Sequence, residues 1–287
     1  MLKNQSLKLI ECPRDAMQGW KTFIPTIKKI EYINSLLQVG FDTIDFGSFV
    51  SPKAIPQMAD TKEVIRKLDV GIGKTKLLAI VANERGAEEA VVFDEITYLG
   101  FPFSVSETFQ QRNTNSSIKE SLKRVEAIQE LCIKNRKELV VYLSMGFGNP
   151  YGDAWNEEIV FNWANKLVEL DIQIISLADT VGLATAEQVK NMSAYLIQQL
   201  PQTEIGVHLH STSLNWKEKA EAAYSAGCKR FDGALKGIGG CPMANDDLVG
   251  NMDTEKMISF FGSETELHLN KQALEKSLQL ATEIFGA

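Results

Sequence analysis

Two histidines separated by one residue are the feature of this sequence that points most clearly to chemistry. His208 and His210 end the segment EIGVHLH, and side chains on a strand alternate with period two, so both imidazoles should face the same side. A carboxylate nearby would complete a set of nitrogen and oxygen ligands without a thiolate. Such a set is typical of Mg²⁺, Mn²⁺ or a related divalent ion rather than of a closed structural zinc site. The alternative is a pair of histidines that only hydrogen-bond to the backbone.

Other polar and ionisable side chains share the position of these histidines, because they lie at or just beyond the ends of further apolar segments. Catalytic groups of a β/α barrel collect at that rim, and a carboxylate on it could join the two imidazoles in holding a metal. The residues in these positions are Arg14, Asp15, Asp45, Ser48, Asp179, Asn251 and Glu255.

One of the four cysteines has a sequence environment unlike the others. Cys12, Cys132 and Cys228 lie in strand or helix patterns, where a cysteine is usually a small buried hydrophobic residue. Cys241 lies in the stretch GIGGCPMAN, which is too rich in glycine to form core. Glycine permits positive φ angles and a close approach to a ligand, as in a mobile active-site loop. A thiol on such a loop could deliver a proton to a carbanion.

The elements that would position these residues alternate along the whole chain. Nearly continuous apolar segments, as in strands buried on both faces of a parallel sheet, are followed by patterns of helical period. Eight such units predict an α/β fold, a closed (β/α)₈ TIM barrel forming one catalytic domain over residues 1–287, with a helix over 270–285 appended to it. No glycine-rich dinucleotide fingerprint follows the first strand. The predicted strands are 7–12, 43–49, 76–81, 95–101, 138–145, 172–178, 204–210 and 230–235.

Composition and charge argue against other classes of protein. The 287 residues are 44% hydrophobic and 23% charged, and the formal net charge is −7. Lysines are scattered among acidic neighbours, so no basic patch predicts a nucleic-acid partner. No apolar run is long enough for a secretory signal or a membrane span. Four dispersed cysteines do not form a disulfide framework, which favours the reducing cytoplasm.

Motifs spread over residues 11–255 make the sequence similar to a known family. CPRDAMQ, SFVSPKAIPQM, LADTVG, VHLHST and GIGGCPMA followed by GN resemble the motifs of 3-hydroxy-3-methylglutaryl-CoA lyases. These enzymes belong to the metal-dependent barrel lyases and Claisen-type synthases. SFVSPK with PQM and the GGCP loop are specific to the lyase branch, whereas RD and HxH are shared with the synthases. An acyl-CoA substrate follows from the resemblance, and we expect a homodimer.

The resemblance assigns roles to individual residues. It implies that Arg14 is the catalytic arginine, that Cys241 is the loop cysteine, and that Asp179 and Glu255 are further acidic positions. From its place at the end of the second strand, we expect Ser48 to bind substrate or to support the site. Asp45 stands where the family usually has glutamate. The implied metal ligands are Asp15, His208, His210 and Asn251.

The resemblance also implies a reaction, the cleavage of 3-hydroxy-3-methylglutaryl-CoA to acetyl-CoA and acetoacetate, as in leucine degradation. A divalent cation would polarise the tertiary alcohol of the substrate, and Asp15 or His208 would accept its proton. Arg14 would stabilise the developing enolate at the thioester oxygen, and Cys241 would protonate it.

Several departures from the family pattern leave alternatives open. CPRDA replaces GPRDG, HST replaces HDT, and the spacing from Cys241 to Asn251 is one residue longer. A lyase of the same mechanism for another branched 3-hydroxyacyl-CoA therefore stays possible. A Claisen-type synthase normally carries additional C-terminal regions, whereas this sequence ends at Ala287. A non-catalytic barrel would not be expected to retain all the implied site residues.

Overall fold

Eight parallel strands form a closed barrel in the computed structural model, which describes residues 6–240 and 249–286. The barrel closes where its last strand pairs with its first, and the predicted (β/α)₈ barrel is thereby confirmed. All the strands below except β8 and β10 belong to it. The strands are β1 (Lys8–Glu11), β2 (Thr43–Ser48), β3 (Lys76–Ile80), β4 (Ile96–Ser104), β5 (Glu138–Ser144), β6 (Ile174–Ala178), β7 (Glu204–His208), β8 (His210–Ser211), β9 (Arg230–Gly233) and β10 (Gly250–Asn251).

Helices surround the barrel, and the appended C-terminal helix is present. It packs against the second helix, and its Phe285 ring meets the edges of Trp20 and Tyr32 at centroid distances of 5.2 and 6.2 Å. Within the described ranges, no helix has both the length and the hydropathy to cross a membrane. The helices are α1 (Pro13–Gln18), α2 (Thr26–Leu37), α3 (Thr61–Ile65), α4 (Glu84–Val91), α5 (Glu107–Thr114), α6 (Ile118–Lys134), α7 (Glu157–Glu169), α8 (Ala186–Gln199), α9 (Trp216–Ser225), α10 (Thr254–Glu264) and α11 (Lys271–Phe285).

Local sequence signals account for several helix ends. Thr185 caps α8 with a reciprocal capping box, as its position before AEQ predicts. The cap of α6 is Ser117 and not Ser116, because only Ser117 stands three residues before Glu120, whose carboxylate bonds back to the cap. Gly40 and Gly227 have positive φ, which lets the chain leave a helix at these points.

The seventh predicted strand is divided in the structure, and this division matters for the site. β7 ends at His208, and His210 begins β8, which leaves the barrel and pairs antiparallel with β10. In this pairing Asn251 lies opposite His210. A short ribbon therefore brings a residue from beyond the last barrel strand back to the rim.

Candidate metal and catalytic site

A short helix that the sequence patterns did not predict positions the first two site residues. α1 begins directly after β1 with Pro13 in its first turn, where the fixed φ of proline suits a helix start. Arg14 and Asp15 occupy this turn, and both side chains are almost completely buried. Two charged side chains in such a place need partners, because an unpaired buried charge is strongly destabilising.

The guanidinium of Arg14 joins two carboxylates. Its Nε lies 3.2 and 3.0 Å from the two carboxylate oxygens of Asp45, and its Nη2 donates to the nearer one at 2.5 Å. Nη1 donates to Oδ1 of Asp15 at 2.7 Å. Burial alone would lower the pKa of Arg14, but Asp45 and Asp15 raise it, so the arginine is charged. Burial raises the pKa of Asp45 to about 6 although Arg14 opposes this.

Asp15 is held in one orientation and kept ionised. Its Oδ1 also accepts a hydrogen bond from Gln18, and its Oδ2 accepts one from the amide of Asn251 at 2.8 Å. Burial disfavours the charged carboxylate, but Arg14 and the two neighbouring histidines outweigh it and lower the pKa of Asp15 to about 2. The carboxylate is therefore a fixed negative charge at neutral pH.

Asp15, His208 and His210 form a cluster that we call the candidate metal site. One potential ligand atom from each lies within 4.8 Å of the other two. Burial and the neighbouring His208 lower the pKa of His210 to about 4, so this imidazole is neutral and carries a lone pair. Its Nε2 is buried and has no hydrogen-bond partner in the described part of the chain. An orphaned nitrogen beside an ionised carboxylate fits a bound cation.

Asp232, which was not predicted, supports His208 from behind. Nδ1 of His208 lies 3.2 Å from Oδ2 of Asp232, whose side chain is fully buried. Burial lowers the pKa of His208, but the hydrogen bond and the charge of Asp232 raise it overall. A carboxylate that engages one ring nitrogen leaves the other for a metal and fixes the ring. The sequence carries one signal for this residue, an acidic side chain inside the predicted strand 230–235.

The glycine-rich stretch comes into close contact with this cluster. Gly239 has a φ of +100°, and a Cβ there would lie 2.7 Å from Nδ2 of Asn251 and 2.8 Å from the carbonyl oxygen of Asp15. Asn251 also donates to the carbonyl oxygen of Ile238 at 2.9 Å. A side chain at Gly239 would therefore displace two of the implied ligands, which explains the glycine in physical terms.

Comparison with known proteins gives the same result as the motifs. A family model described as HMGL-like matches residues 8–280. The mitochondrial hydroxymethylglutaryl-CoA lyase of Mus musculus is 33% identical over 273 residues, which are 93% of this chain and 82% of the mouse protein. The chain belongs to the HMGL-like family. The resemblance inferred from the motifs is therefore confirmed.

Solved structures of the family superimpose closely on this barrel. The HMG-CoA lyase of Bacillus subtilis has a TM-score of 0.91 at 30% identity, and the match covers 100% of this chain and 96% of that one. An HMG-CoA lyase from Acinetobacter baumannii, solved with coenzyme A and 3-methylmalate, has a TM-score of 0.88 at 32% identity, with 98% and 92% covered. The backbone that carries the candidate metal site is thus the family's backbone.

Asp179, in the family motif LADTVG, is engaged by a lysine that the sequence did not single out. Nζ of the buried Lys219 donates to Oδ2 of Asp179 at 2.7 Å and to the carbonyl oxygen of His210 at 2.9 Å. The main-chain N–H of Ala184 donates to the other oxygen of Asp179. Both carboxylate oxygens of Asp179 therefore already accept hydrogen bonds from the protein, and its catalytic role stays a prediction. Lys219 lies on α9 with no distinguishing pattern, so only the fold reveals it.

The remaining predicted residues lie at the rim in different settings. Ser48 is buried, and its Oγ accepts a hydrogen bond from the N–H of Val50. Glu255, in the first turn of α10, accepts one from the N–H of Lys236. Cys241 lies outside the described residues. Six of the predicted residues lie together in the structure: Arg14, Asp15, Asp45, His208, His210 and Asn251.

Proposed function

We propose that this protein is a divalent-metal-dependent carbon–carbon lyase that cleaves 3-hydroxy-3-methylglutaryl-CoA to acetyl-CoA and acetoacetate. The observation that carries the proposal is the candidate metal site with Arg14 hydrogen-bonded to its carboxylate, Asp15. Relatives that are named hydroxymethylglutaryl-CoA lyases support the substrate. The coenzyme A in the Acinetobacter structure supports an acyl-CoA.

The ligand set of the proposed site is Asp15, His208, His210 and Asn251. A divalent cation held there would supply Lewis-acid stabilisation to the hydroxyl oxygen of the substrate. Carboxylate and amide oxygens together with imidazole nitrogens, and no sulfur, support Mg²⁺ or Mn²⁺ as the ion. The pairing of His210 with Asn251 across β8 and β10 keeps these two side chains together before any ion binds.

Electrostatics separate the two groups that could accept the hydroxyl proton. Asp15 is a weak base, because Arg14 and the histidines outweigh burial and lower its pKa to about 2. Although burial opposes it, Asp232 raises the pKa of His208, which makes this imidazole the stronger base. We therefore assign the role of fixed ligand to Asp15. His208 would accept the proton on the ring nitrogen that Asp232 does not engage, and only as that nitrogen leaves the ion.

We assign to Arg14 the stabilisation of the negative charge on the enolate that carbon–carbon cleavage produces. Its guanidinium is fixed by Asp45 and Asp15, so no reorganisation is needed as charge develops. Asp45 reaches Arg14 although it is one methylene shorter than the glutamate expected here, which supports an unchanged substrate. We assign protonation of the enolate to Cys241, as the motif implies.

The test is turnover of 3-hydroxy-3-methylglutaryl-CoA, followed as acetoacetate, before and after removal of divalent ions. We expect a chelator to abolish turnover and added Mg²⁺ or Mn²⁺ to restore it. His210→Ala should lose both activity and metal binding, and a shorter-chain 3-hydroxyacyl-CoA serves as the substrate control. Full activity in metal-free enzyme would refute the proposal. Faster turnover of another branched 3-hydroxyacyl-CoA would keep the mechanism and change the substrate.

Three further properties complete the proposal. A homodimer can be checked by sedimentation. A reducing compartment such as the cytoplasm is supported by the three described cysteines, which are free buried thiols. A role in leucine degradation follows from the substrate. It predicts that cells without the protein lose the ability to grow on leucine.

A further inference from the structure

A second group of metal-ligating side chains lies inside the barrel, next to the candidate metal site. Ligand atoms of Cys12, His208 and Asp232 all lie within 4.8 Å of one another. Cys12 follows β1, His208 ends β7, and Asp232 lies in β9, which pairs with both of those strands. The N–H of Cys12 donates to the carbonyl oxygen of Gly233 at 2.8 Å, which holds the thiol beside Asp232.

Two of the three side chains, Cys12 and Asp232, are short of partners in this arrangement. Oδ1 of Asp232 is buried and has no hydrogen-bond partner among residues 6–240 and 249–286. The hydrogen bond from the Cys12 thiol to the carbonyl oxygen of Ile10 is long, at 3.8 Å. Buried polar atoms normally have partners, so a carboxylate oxygen and a thiol without strong ones point to an unassigned ligand.

The donor chemistry of this group differs from that of the candidate metal site. One soft sulfur ligand together with a nitrogen and an oxygen ligand, at metal–ligand distances of about 2.0 to 2.3 Å, suits Zn²⁺ and related ions. A thiolate selects such ions over Mg²⁺. The 3.2 Å between Nδ1 of His208 and Oδ2 of Asp232 is compatible with two ligands of one tetrahedral ion.

The local charge favours a cation at this point. Burial and the carboxylates of Asp232 and Asp45 raise the pKa of the Cys12 thiol well above its usual range, although the charge of Arg14 opposes this. The same negative charges attract a divalent ion. The positive charge of the ion balances these carboxylates and the thiolate that forms when Cys12 loses its proton. The side chain of His208 is 12% exposed, so its ring connects the interior with the rim.

We propose that Cys12, His208 and Asp232 form a second cation site, selective for thiophilic divalent ions such as Zn²⁺ and Cd²⁺, and that its occupation inhibits the enzyme. Binding releases the proton of the Cys12 thiol to solvent. The proton on Nδ1 of His208 moves to Nε2 in the metal-free protein, and to solvent where Nε2 already holds an ion. The ion then takes over the nitrogen through which Asp232 orients the ring. The inhibition rests on the proposed function, because it acts through His208. The binding itself does not.

Ultraviolet absorption during a Cd²⁺ titration of metal-free protein tests the binding. Cys241→Ser serves as the background, because it removes the thiol predicted to lie on the glycine-rich loop. A sulfur-to-cadmium charge-transfer band reports thiolate bonds and is silent for the candidate metal site, which contains no sulfur. We expect one equivalent of Cd²⁺ to produce the band. Cys12→Ser/Cys241→Ser should lose it, and the matched control Cys132→Ser/Cys241→Ser should keep it.

Inhibition is tested with Cys241 intact and Mg²⁺ present, each variant normalised to its own uninhibited rate. Cys12→Ser should raise the half-inhibiting Cd²⁺ concentration at least about tenfold, as loss of a ligand or its support typically does. Cys12→Gly, which restores the family's GPRDG glycine, replaces this variant should the serine protein not fold. A band that survives in Cys12→Ser/Cys241→Ser overturns the site, and equal Cd²⁺ sensitivity overturns the inhibition. The band, together with no turnover in the protein that retains Cys241, would refute the proposed function alone.

Discussion

Glu11→Gln should make the protein more stable at alkaline pH. Glu11 is completely buried at the end of β1, and burial is the largest cause that raises its pKa from an ordinary 4.5 to about 8. Its carboxyl accepts hydrogen bonds from the N–H of Leu235 at 2.8 Å and the hydroxyl of Thr254 at 2.6 Å. A glutamine can accept the first bond and donate to the hydroxyl oxygen in the second, so the packing should survive.

The expected magnitude follows from the difference between the folded and unfolded states. Below about pH 4.5 Glu11 is protonated in both states, and its contribution to stability is fully present. As pH rises the unfolded chain ionises first, so this contribution is lost progressively up to the folded pKa of about 8. Each pKa unit corresponds to about 1.4 kcal/mol. Between pH 5 and 8 the wild type should therefore lose about 3 kcal/mol relative to Glu11→Gln.

Urea unfolding of metal-free protein at a series of pH values measures this difference. Chelation removes the contribution that a bound ion would add to the folded state. Subtraction of the two proteins cancels the other titrating groups. Glu126→Gln, at an exposed position in α6, controls for the removal of one negative charge.

A constant difference in the free energy of unfolding across this pH range would refute the reasoning. It would mean that the Glu11 carboxyl is equally easy to ionise in the folded and unfolded chain. Turnover of Glu11→Gln provides the second check. Leu235 and Thr254 flank the segment that carries Gly239 and Asn251, so an intact network predicts activity close to that of the wild type.

The other predictions concern catalysis and the buried lysine. Arg14→Lys keeps the charge but loses the planar group that bonds to both Asp45 and Asp15, so kcat should fall at least about 10²-fold. Wild-type rates in this variant would show that Arg14 has a structural role instead. Cys241→Ser should cripple kcat while Tm stays unchanged, whereas the buried Cys132→Ser should lower Tm and keep kcat. Lys219→Met should destabilise by about 3 to 5 kcal/mol in urea unfolding, because Asp179 loses its buried partner. Asp179→Asn/Lys219→Met should recover part of this loss, and no recovery would contradict the pairing.

The agreement between sequence and structure is best where a local pattern carries the information. Period-two alternation placed His208 and His210 on one side, and the order of apolar segments predicted the barrel. The helix α1 was missed because Pro13 and two charged residues break the usual amphipathic pattern. This short helix is stabilised by the contacts of Arg14 with Asp45, which lies on β2.

The sequence by itself determined the fold, the family and the residues that meet at the candidate metal site, because each of these depends on residue types and on their order along the chain. Only the tertiary structure decided how those residues are held. The antiparallel pairing of β8 with β10 brings Asn251 to His210. Asp232 reaches His208 from the neighbouring strand, and Lys219 reaches Asp179 from α9. Such partners depend on which strands are neighbours and on what burial leaves unpaired. Neither property produces a periodic pattern or a fixed residue spacing in the sequence.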